Sequence, residues 1–263
     1  ERALTEVGLA SLGDQNGAYG DGHFPMTLSN NAGRHRVSAA MAYLDAACRA
    51  RPNLTILADT TVTTLTLADG RVTGVTAIVN GEARAFEAAE VVVCSGALNT
   101  PALLMRSGIG PGVELRKAGI APLVELPGVG RNLQEHPGIS LSAYIRPAAR
   151  LRATTRRHIH VGARFSSGAQ GAEPSDMFAM MASKSAWHPL GYRIATLVAW
   201  VNKAHSRGRV TLAPGDPVPV ATADFNYMSD ALDLERLCAA VHFMARVFAA
   251  PALADSVEAP VAS

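Results

Sequence analysis

The sequence predicts a two-part protein: an α/β portion in the middle of the chain, then an antiparallel sheet with one long helix. Three observations predict it. The run Val91-Val92-Val93-Cys94 is apolar and β-branched without alternation, as in a parallel-sheet strand covered by helices on both faces. From residue 53 to 86 the hydrophobic period is two, broken by Asp69-Gly70 and Asn80-Gly81, which are strong short-range hairpin signals. Beyond residue 175, strand-like segments at 176–181, 194–201 and 209–212 leave no room for crossover helices, which implies antiparallel pairing.

Composition sets the bounds. The chain has 263 residues, 48% hydrophobic and 17% charged, enough for one large domain or two small ones around a sizeable core. Lys+Arg 24 against Asp+Glu 22 gives a net charge of +2, which offers no argument for nucleic acid or an acidic partner. Arg146, Arg150, Arg152, Arg156, Arg157, His158 and His160 form a local basic cluster that reads as a solvated loop. Cys48, Cys94 and Cys238 lie far apart and read as small buried apolar residues, with no disulfide framework or metal spacing. That usage suits the cytoplasm; a periplasmic enzyme whose leader has been removed is the alternative. No apolar run is long enough to span a bilayer. The chain begins without methionine, partway into what looks like a helix, and is expected to be part of something longer.

In order, residues 1–36 are rich in Gly, Asn and Asp and read mostly as loop, with 24–28 the best extended piece. A helix capped near Ser38 follows, with Val37, Met41, Leu44 and Cys48 on one apolar face, stopped by Arg51-Pro52. Strands are expected at 54–57, 60–67, 72–79 and 84–86, the last three forming a β-meander. After 91–94, Ser95-Gly96 turns the chain. Asn99 or Thr100 caps a helix with Pro101 at its first position, ended by Ser107-Gly108-Ile109-Gly110. A buried strand, a glycine turn and a capped helix aim backbone N–H groups at an anionic ligand. A short helix at 113–117 and strands at 122–126 and 139–145 come next, then an irregular, basic and Gly/Ser-rich stretch at 147–174 that reads as an exposed loop. Ser229-Asp230 caps a final helix whose stripe is Leu234, Leu237, Val241, Met244 and Phe248, ended by Pro251.

The motif residues themselves carry a resemblance. Gly96-Ala97, Thr100-Pro101, Leu103-Leu104 and Ser107-Gly108-Ile109-Gly110 resemble a signature of the glucose–methanol–choline (GMC) flavin oxidoreductases. So does the continuous Leu126-Pro127-Gly128-Val129-Gly130-Arg131-Asn132-Leu133-Gln134-Glu135-His136-Pro137. The glycine–arginine turn before Ala42-Tyr43-Leu44, and Ser206-Arg207-Gly208-Arg209-Val210-Thr211-Leu212 followed by Asp224-Phe225-Asn226-Tyr227, are similar to further family stretches. The resemblance implies an incomplete FAD-binding domain of glutathione-reductase type at 37–136, with the β-meander inserted. It also implies an α+β substrate domain with an antiparallel sheet, built from 1–36 and 137–263. The implied cofactor is FAD, and the implied reaction is oxidation of a small-molecule alcohol by hydride transfer to flavin. Nothing in the residues names the electron acceptor or the oligomeric state.

By that resemblance, Val62 meets the adenine end of FAD through its main chain, and Ser95 and Gly96 let the backbone approach the cofactor closely. No catalytic residue and no metal ligand is assigned. His136 reads as a structural, hydrogen-bonded histidine, and Glu135 stands where many family members carry aspartate. The other histidines lack ligand spacing, and Trp187 and Trp200 fit core packing better than a pocket. The family's Gly-x-Gly-x-x-Gly turn and catalytic histidine are expected to lie before residue 1 and after residue 263, which would leave this chain inactive alone. The alternatives are a truncated, non-catalytic flavin-fold binding or scaffold module, or a hydroxynitrile-lyase-like member that keeps FAD without redox chemistry.

Overall fold

The computed structural model describes residues 1–31, 35–152, 155, 157–213 and 221–260. In chain order the first elements are α1 (Arg2–Glu6), β1 (Gly22–Pro25), α2 (Ala39–Tyr43), α3 (Ala46–Arg49), β2 (Thr60–Ala68), β3 (Arg71–Val79) and β4 (Glu82–Glu87). Then come α4 (Gly96–Arg106), β5 (Ile109–Gly110), α5 (Gly112–Lys117), β6 (Val124–Glu125), β7 (Arg131–Leu133) and β8 (Gly138–Ile145). The last are β9 (Ile159–Phe165), β10 (Met177–Ala182), β11 (Ile194–Val201), β12 (Gly208–Leu212), β13 (Ala221–Asp224), α6 (Ala231–Ala249) and β14 (Val257–Pro260). They fall into two compact units: residues 1–28, 135–206 and 227 onward in one, and Ser29–Gln134 with Arg207–Asn226 in the other. Residues 207–226, grouped from the sequence with 137–263, thus lie with the meander and α4.

The first unit is a six-stranded antiparallel sheet in the order β1-β9-β10-β11-β8-β14. In β11 burial alternates strictly: Ala195, Leu197, Ala199 and Val201 face the core, and Ile194, Thr196, Val198 and Trp200 the other side. Helix α6 covers the core face with Leu237, Ala240, Phe243, Met244, Val247 and Phe248, and the Phe243 ring stacks on Phe165 at 3.9 Å. Asp230 caps it as expected, accepting from the Leu232 N–H at 2.9 Å. Leu234, read into its stripe, is exposed instead.

The 147–174 region is not simply an exposed loop: β9 runs through it, buried from Val161 to Phe165 between β1 and β10. Its Gly162 and Ala163, with charged Arg164, give no hydrophobic alternation, so nothing in the local pattern marks a strand. In the preceding basic stretch, Arg146, Arg150 and Arg157 bond backbone carbonyls of Ala254, Ile145 and Met26; Arg156 lies outside the described residues. The segment at 209–212, expected beside 194–201, belongs to the other unit.

The second unit holds the meander β2-β3-β4, the three-stranded antiparallel sheet β13-β12-β7, and the parallel pair β5-β6. Both two-residue turns adopt positive φ throughout: Asp69 49° and Gly70 75°, Asn80 52° and Gly81 85°. These are the left-handed conformations that hairpin turns demand. Helix α4 packs Ala102 and Met105 onto Leu115, Val210 and Leu212, and Leu103 onto Leu65 and Ile109.

Four expectations fail. Residues 91–94 are extended but unpaired: Val91 and Val93 lie half-buried against the Leu65–Leu103–Ile109 core, whereas Val92 is 78% exposed and Cys94 is exposed. One face is covered, not two, because no described strand lies alongside. Residues 54–57 are likewise unpaired, with Ile56 and Leu57 exposed. The single helix expected from Ser38 is two short ones, because the Asp45 carboxylate takes the Cys48 N–H at 2.8 Å and caps a new start. Its presumed apolar face is uncovered: Met41 is exposed, and Cys48 is only half-buried. Cys238 is exposed as well, so none of the three cysteines is a core residue.

Candidate functional site

The three residues read as cofactor contacts all lie in the second unit. Val62 is on β2, the edge strand of its sheet, opposite Ala77 of β3, where the ladder slips by one residue between Val62 and Thr64. A bulged edge strand leaves main-chain groups unclaimed by a neighbouring strand, which backbone recognition of a planar base requires. Val62 joins the core that Val91 and Val93 cover, so the segment leading to Ser95 is packed on the same cluster.

Helix α4 starts at Gly96, several residues sooner than the proline position predicted, and Pro101 sits inside it. The early start comes from Gly96 at φ +83°, a left-handed conformation that turns the extended chain straight into the helix. Nothing lies within 4 Å of the position where a Cβ on Gly96 would stand, so open space adjoins this turn. Ser95 makes no side-chain cap, so the first N–H groups of α4 are left for a ligand or water. An open glycine turn at an uncapped helix start fits close approach by a nucleotide.

Two hydrogen-bond sets hold α4 to the edge strand. The Ser107 hydroxyl accepts from the Leu65 N–H at 2.8 Å and donates to the Leu103 carbonyl at 2.7 Å, and Arg106 Nε donates to the Thr63 carbonyl at 2.9 Å. Burial lowers the pKa of the Arg106 guanidinium from its ordinary value. Further on, both Glu125 oxygens accept the Gly112 N–H, at 3.1 and 3.0 Å, capping α5 from a distance. In the glycine-rich loop, Gly130 has φ +78° and the Val210 N–H donates to its carbonyl at 2.7 Å.

In the first unit, His136 is hydrogen-bonded: ring Nδ1 lies 2.9 Å from the Val201 carbonyl, which makes Nδ1 the protonated nitrogen, and the main-chain N–H of His136 donates to Glu135 Oε1 at 2.7 Å. The sheet face not covered by α6 carries a row of aromatic rings. Phe24 of β1 lies 5.6 Å from Phe178 of β10, and Phe178 stacks on Trp200 of β11 at 4.7 Å. Arg164 sits over Phe24 at 5.0 Å and over Tyr19 at 4.7 Å. On the β11–β8 side of the face, Thr196 and Ser142 hydroxyls meet at 2.9 Å. Phe24 is fully buried, so the Phe178–Trp200 stack, with the hydroxyls to one side, is the part of this face open to a small, partly polar organic substrate. Sequence reading missed this row, because only the strand register brings those rings together. Trp187, read as core, is 55% exposed; its ring lies 3.6 Å from Nζ of the buried Lys184, whose pKa burial lowers. Lys184 also donates to the Thr155 carbonyl. Among the described residues no His, Cys, Asp or Glu cluster of metal-binding type occurs, and no helix is long and apolar enough to cross a membrane.

Comparison with known proteins then bears on the whole chain. Residues 2–138 match one model of the GMC oxidoreductase family and residues 204–263 match a second. The chain is 40% identical to 5-(hydroxymethyl)furfural oxidase of Methylovorus sp. (strain MP688) over 257 residues, 96% of this chain and 47% of that protein. It is 32% identical to oxygen-dependent choline dehydrogenase of Burkholderia pseudomallei (strain 1710b), over 95% of this chain and 49% of that protein. Pyridoxine 4-oxidase from Mesorbium loti superposes with a TM-score of 0.86 at 29% identity, covering 99% of this chain and 52% of the other. The chain thus spans about half the length of the relatives it matches. Those two family matches, over the motifs and the folded elements described above, establish that this chain belongs to the GMC oxidoreductase family of FAD-dependent enzymes.

Proposed function

We propose that the protein carrying this chain oxidises a small primary alcohol, and that the chain contributes part of the FAD-binding wall and part of the substrate floor. The open Gly96 turn at the uncapped start of α4 carries the reading. The second unit is then part of an FAD-binding domain of glutathione-reductase type, with β2-β3-β4 as its inserted meander. The relatives support the substrate class: one is named for a hydroxymethyl furan, one for choline and one for pyridoxine.

When bound, the flavin supplies the hydride acceptor for the alcohol carbon. The residues of this chain hold and orient. The Val62 main chain receives the adenine end, and the Ser95–Gly96 turn presents backbone N–H groups where a side chain would block approach. The half-buried Phe178–Trp200 stack offers an apolar surface on which a small organic substrate can lie. No residue of this chain is put forward as the proton acceptor.

Flavin content of the purified full-length protein tests this. Gly96→Val is expected to lower bound flavin several-fold, seen in the visible absorbance after desalting, whereas Val62→Ala, which keeps the backbone, is expected to leave it unchanged. Unaltered flavin in Gly96→Val overturns the assignment. The 263-residue chain alone is expected to hold FAD weakly and to turn over no alcohol. Tight, stoichiometric flavin bleached by an alcohol would overturn the division of labour.

A further inference from the structure

On the sheet face away from α6, one register row crosses five strands of the first unit. Gly22 of β1 stands opposite Arg164 of β9, and Arg164 opposite Phe178 of β10. Phe178 stands opposite Trp200 of β11, and Trp200 opposite Gly138 of β8. Residues directly opposite one another share a face, so the row reads glycine, cation, ring, ring, glycine. Its two ends differ. At Gly22 the space is taken: a Cβ there would lie 2.6 Å from the Leu12 side chain and 2.7 Å from the Ala10 carbonyl. Gly138 is exposed, and the atoms nearest to a Cβ on it, at 3.2 Å, belong to Ala199 and Trp200 of the paired strand.

The two rings set the spacing. Phe178 and Trp200 stand on neighbouring strands and stack with centroids 4.7 Å apart and planes 21° from parallel. That separation is the distance between neighbouring strands. Gly138 stands one strand beyond Trp200 on the other side and brings no side chain to cover the indole. A flat ring above Gly138 therefore meets the second face of Trp200 at the separation that Phe178 already holds on the first. Ser140, two residues along β8 on the same face, is small and exposed. A cation is the other ligand an indole face attracts, but the only charge in the row is the Arg164 guanidinium, which has the same sign.

We propose that the substrate is a planar aromatic alcohol whose ring stacks on the open face of Trp200 above Gly138, so that these two residues set its specificity. This rests on the reading of the sheet as the substrate floor.

The test follows flavin bleaching of the full-length protein by benzyl alcohol without oxygen, so that the electron acceptor does not enter. Benzamide, cyclohexanecarboxamide and tetramethylammonium serve as competitors. The two amides are close in size and polarity, but only benzamide has a flat π ring. Benzamide is expected to compete about five-fold more tightly than cyclohexanecarboxamide, the strength of one aromatic stack, and more tightly than tetramethylammonium. Trp200→Leu should bring the ratio of the two amides to about one, and Trp200→Phe should keep most of it. Gly138→Val, or Gly138→Ala if the valine variant misfolds, should raise the half-saturating benzyl alcohol concentration several-fold with the limiting rate little changed, as loss of uniform binding requires. Alcohol-driven bleaching with equal competition by the two amides overturns the stack and leaves the floor standing. Tighter competition by tetramethylammonium overturns it in favour of a cation site. Absence of bleaching by any alcohol overturns the floor reading itself. Saturation-transfer NMR of benzamide, which needs no turnover, then decides the stack: signal lost in Trp200→Leu supports it, and signal unchanged in that variant overturns it.

Discussion

Replacing Arg236 with alanine should unbalance a buried charge network, and the structure sets the size of the loss. Arg236 is 1% exposed and Asp233 fully buried. Arg236 Nη1 donates to the Lys203 carbonyl at 2.9 Å, Nη2 is 3.2 Å from Asp233 Oδ1, and Nε is 3.7 Å from Asp176 Oδ2. Among the described residues Nε and Nη2 find no hydrogen bond of good geometry, so charge holds them rather than directed bonding. The carboxylates are separately supplied: Asp233 takes the N–H groups of His205 and Ser206, and Asp176 takes the N–H and hydroxyl of Ser167. Breaking a buried ion pair costs about 3–5 kcal/mol, and these surviving donors place the loss near the lower end, about 3 kcal/mol. Urea unfolding followed by circular dichroism measures it. A cost below about 1 kcal/mol, as for an exposed pair, would refute the reasoning. The acid limb is a second readout. Burial works to raise the Asp233 pKa, but the Ser206 hydroxyl, two backbone N–H groups and Arg236 outweigh it, and the net shift is below the ordinary 3.8. A depressed carboxylate contributes stability above its unfolded value that is lost as pH falls through the folded one. Without Arg236 that loss should begin at a higher pH.

Three further outcomes are expected. Ser107→Ala strands the buried Leu65 N–H and should cost about 1–3 kcal/mol, read from the urea midpoint; a change under about 0.5 kcal/mol would show that the strand finds another acceptor. Gly130→Ala forces a side chain into a left-handed φ and against the Val210 carbonyl, and should lose about 1–3 kcal/mol in the same assay. His23 is buried, with Nε2 3.1 Å from the Thr5 hydroxyl and, among the described residues, no partner for Nδ1; burial lowers its pKa below 6.5. Because the unfolded chain binds this proton more readily, stability should fall as pH drops below about 6.5, and His23→Leu should flatten that slope in thermal melts.

Sequence and structure agree best where local chemistry alone decides. Asp69-Gly70 and Asn80-Gly81 fix the meander because few residues other than glycine, asparagine and aspartate take those dihedrals cheaply. The α6 stripe is legible because one helical face packs on one sheet. Asp233 and Arg236 were not legible: charges at a three-residue spacing read as solvated, and only the fold shows each neutralising the other in the interior. Residues 54–57 and 91–94 carry strand-like sequence, yet pairing depends on what lies alongside, which no single segment encodes. The candidate site divides the same way. Val62, Ser95 and Gly96 came from motif resemblance, whereas the Phe24–Phe178–Trp200 row exists only through strand register.

The topology of the six-stranded sheet also imposes a schedule. The meander can close as soon as its own thirty or so residues leave the ribosome, since each turn joins neighbours in sequence. Strand β1 has no such neighbour: it pairs with β9, whose residues emerge roughly 140 positions later, on the order of ten seconds at ordinary translation rates. For that interval Phe24 has no sheet to join, and the nascent segment around it exposes a ring that the finished fold buries completely.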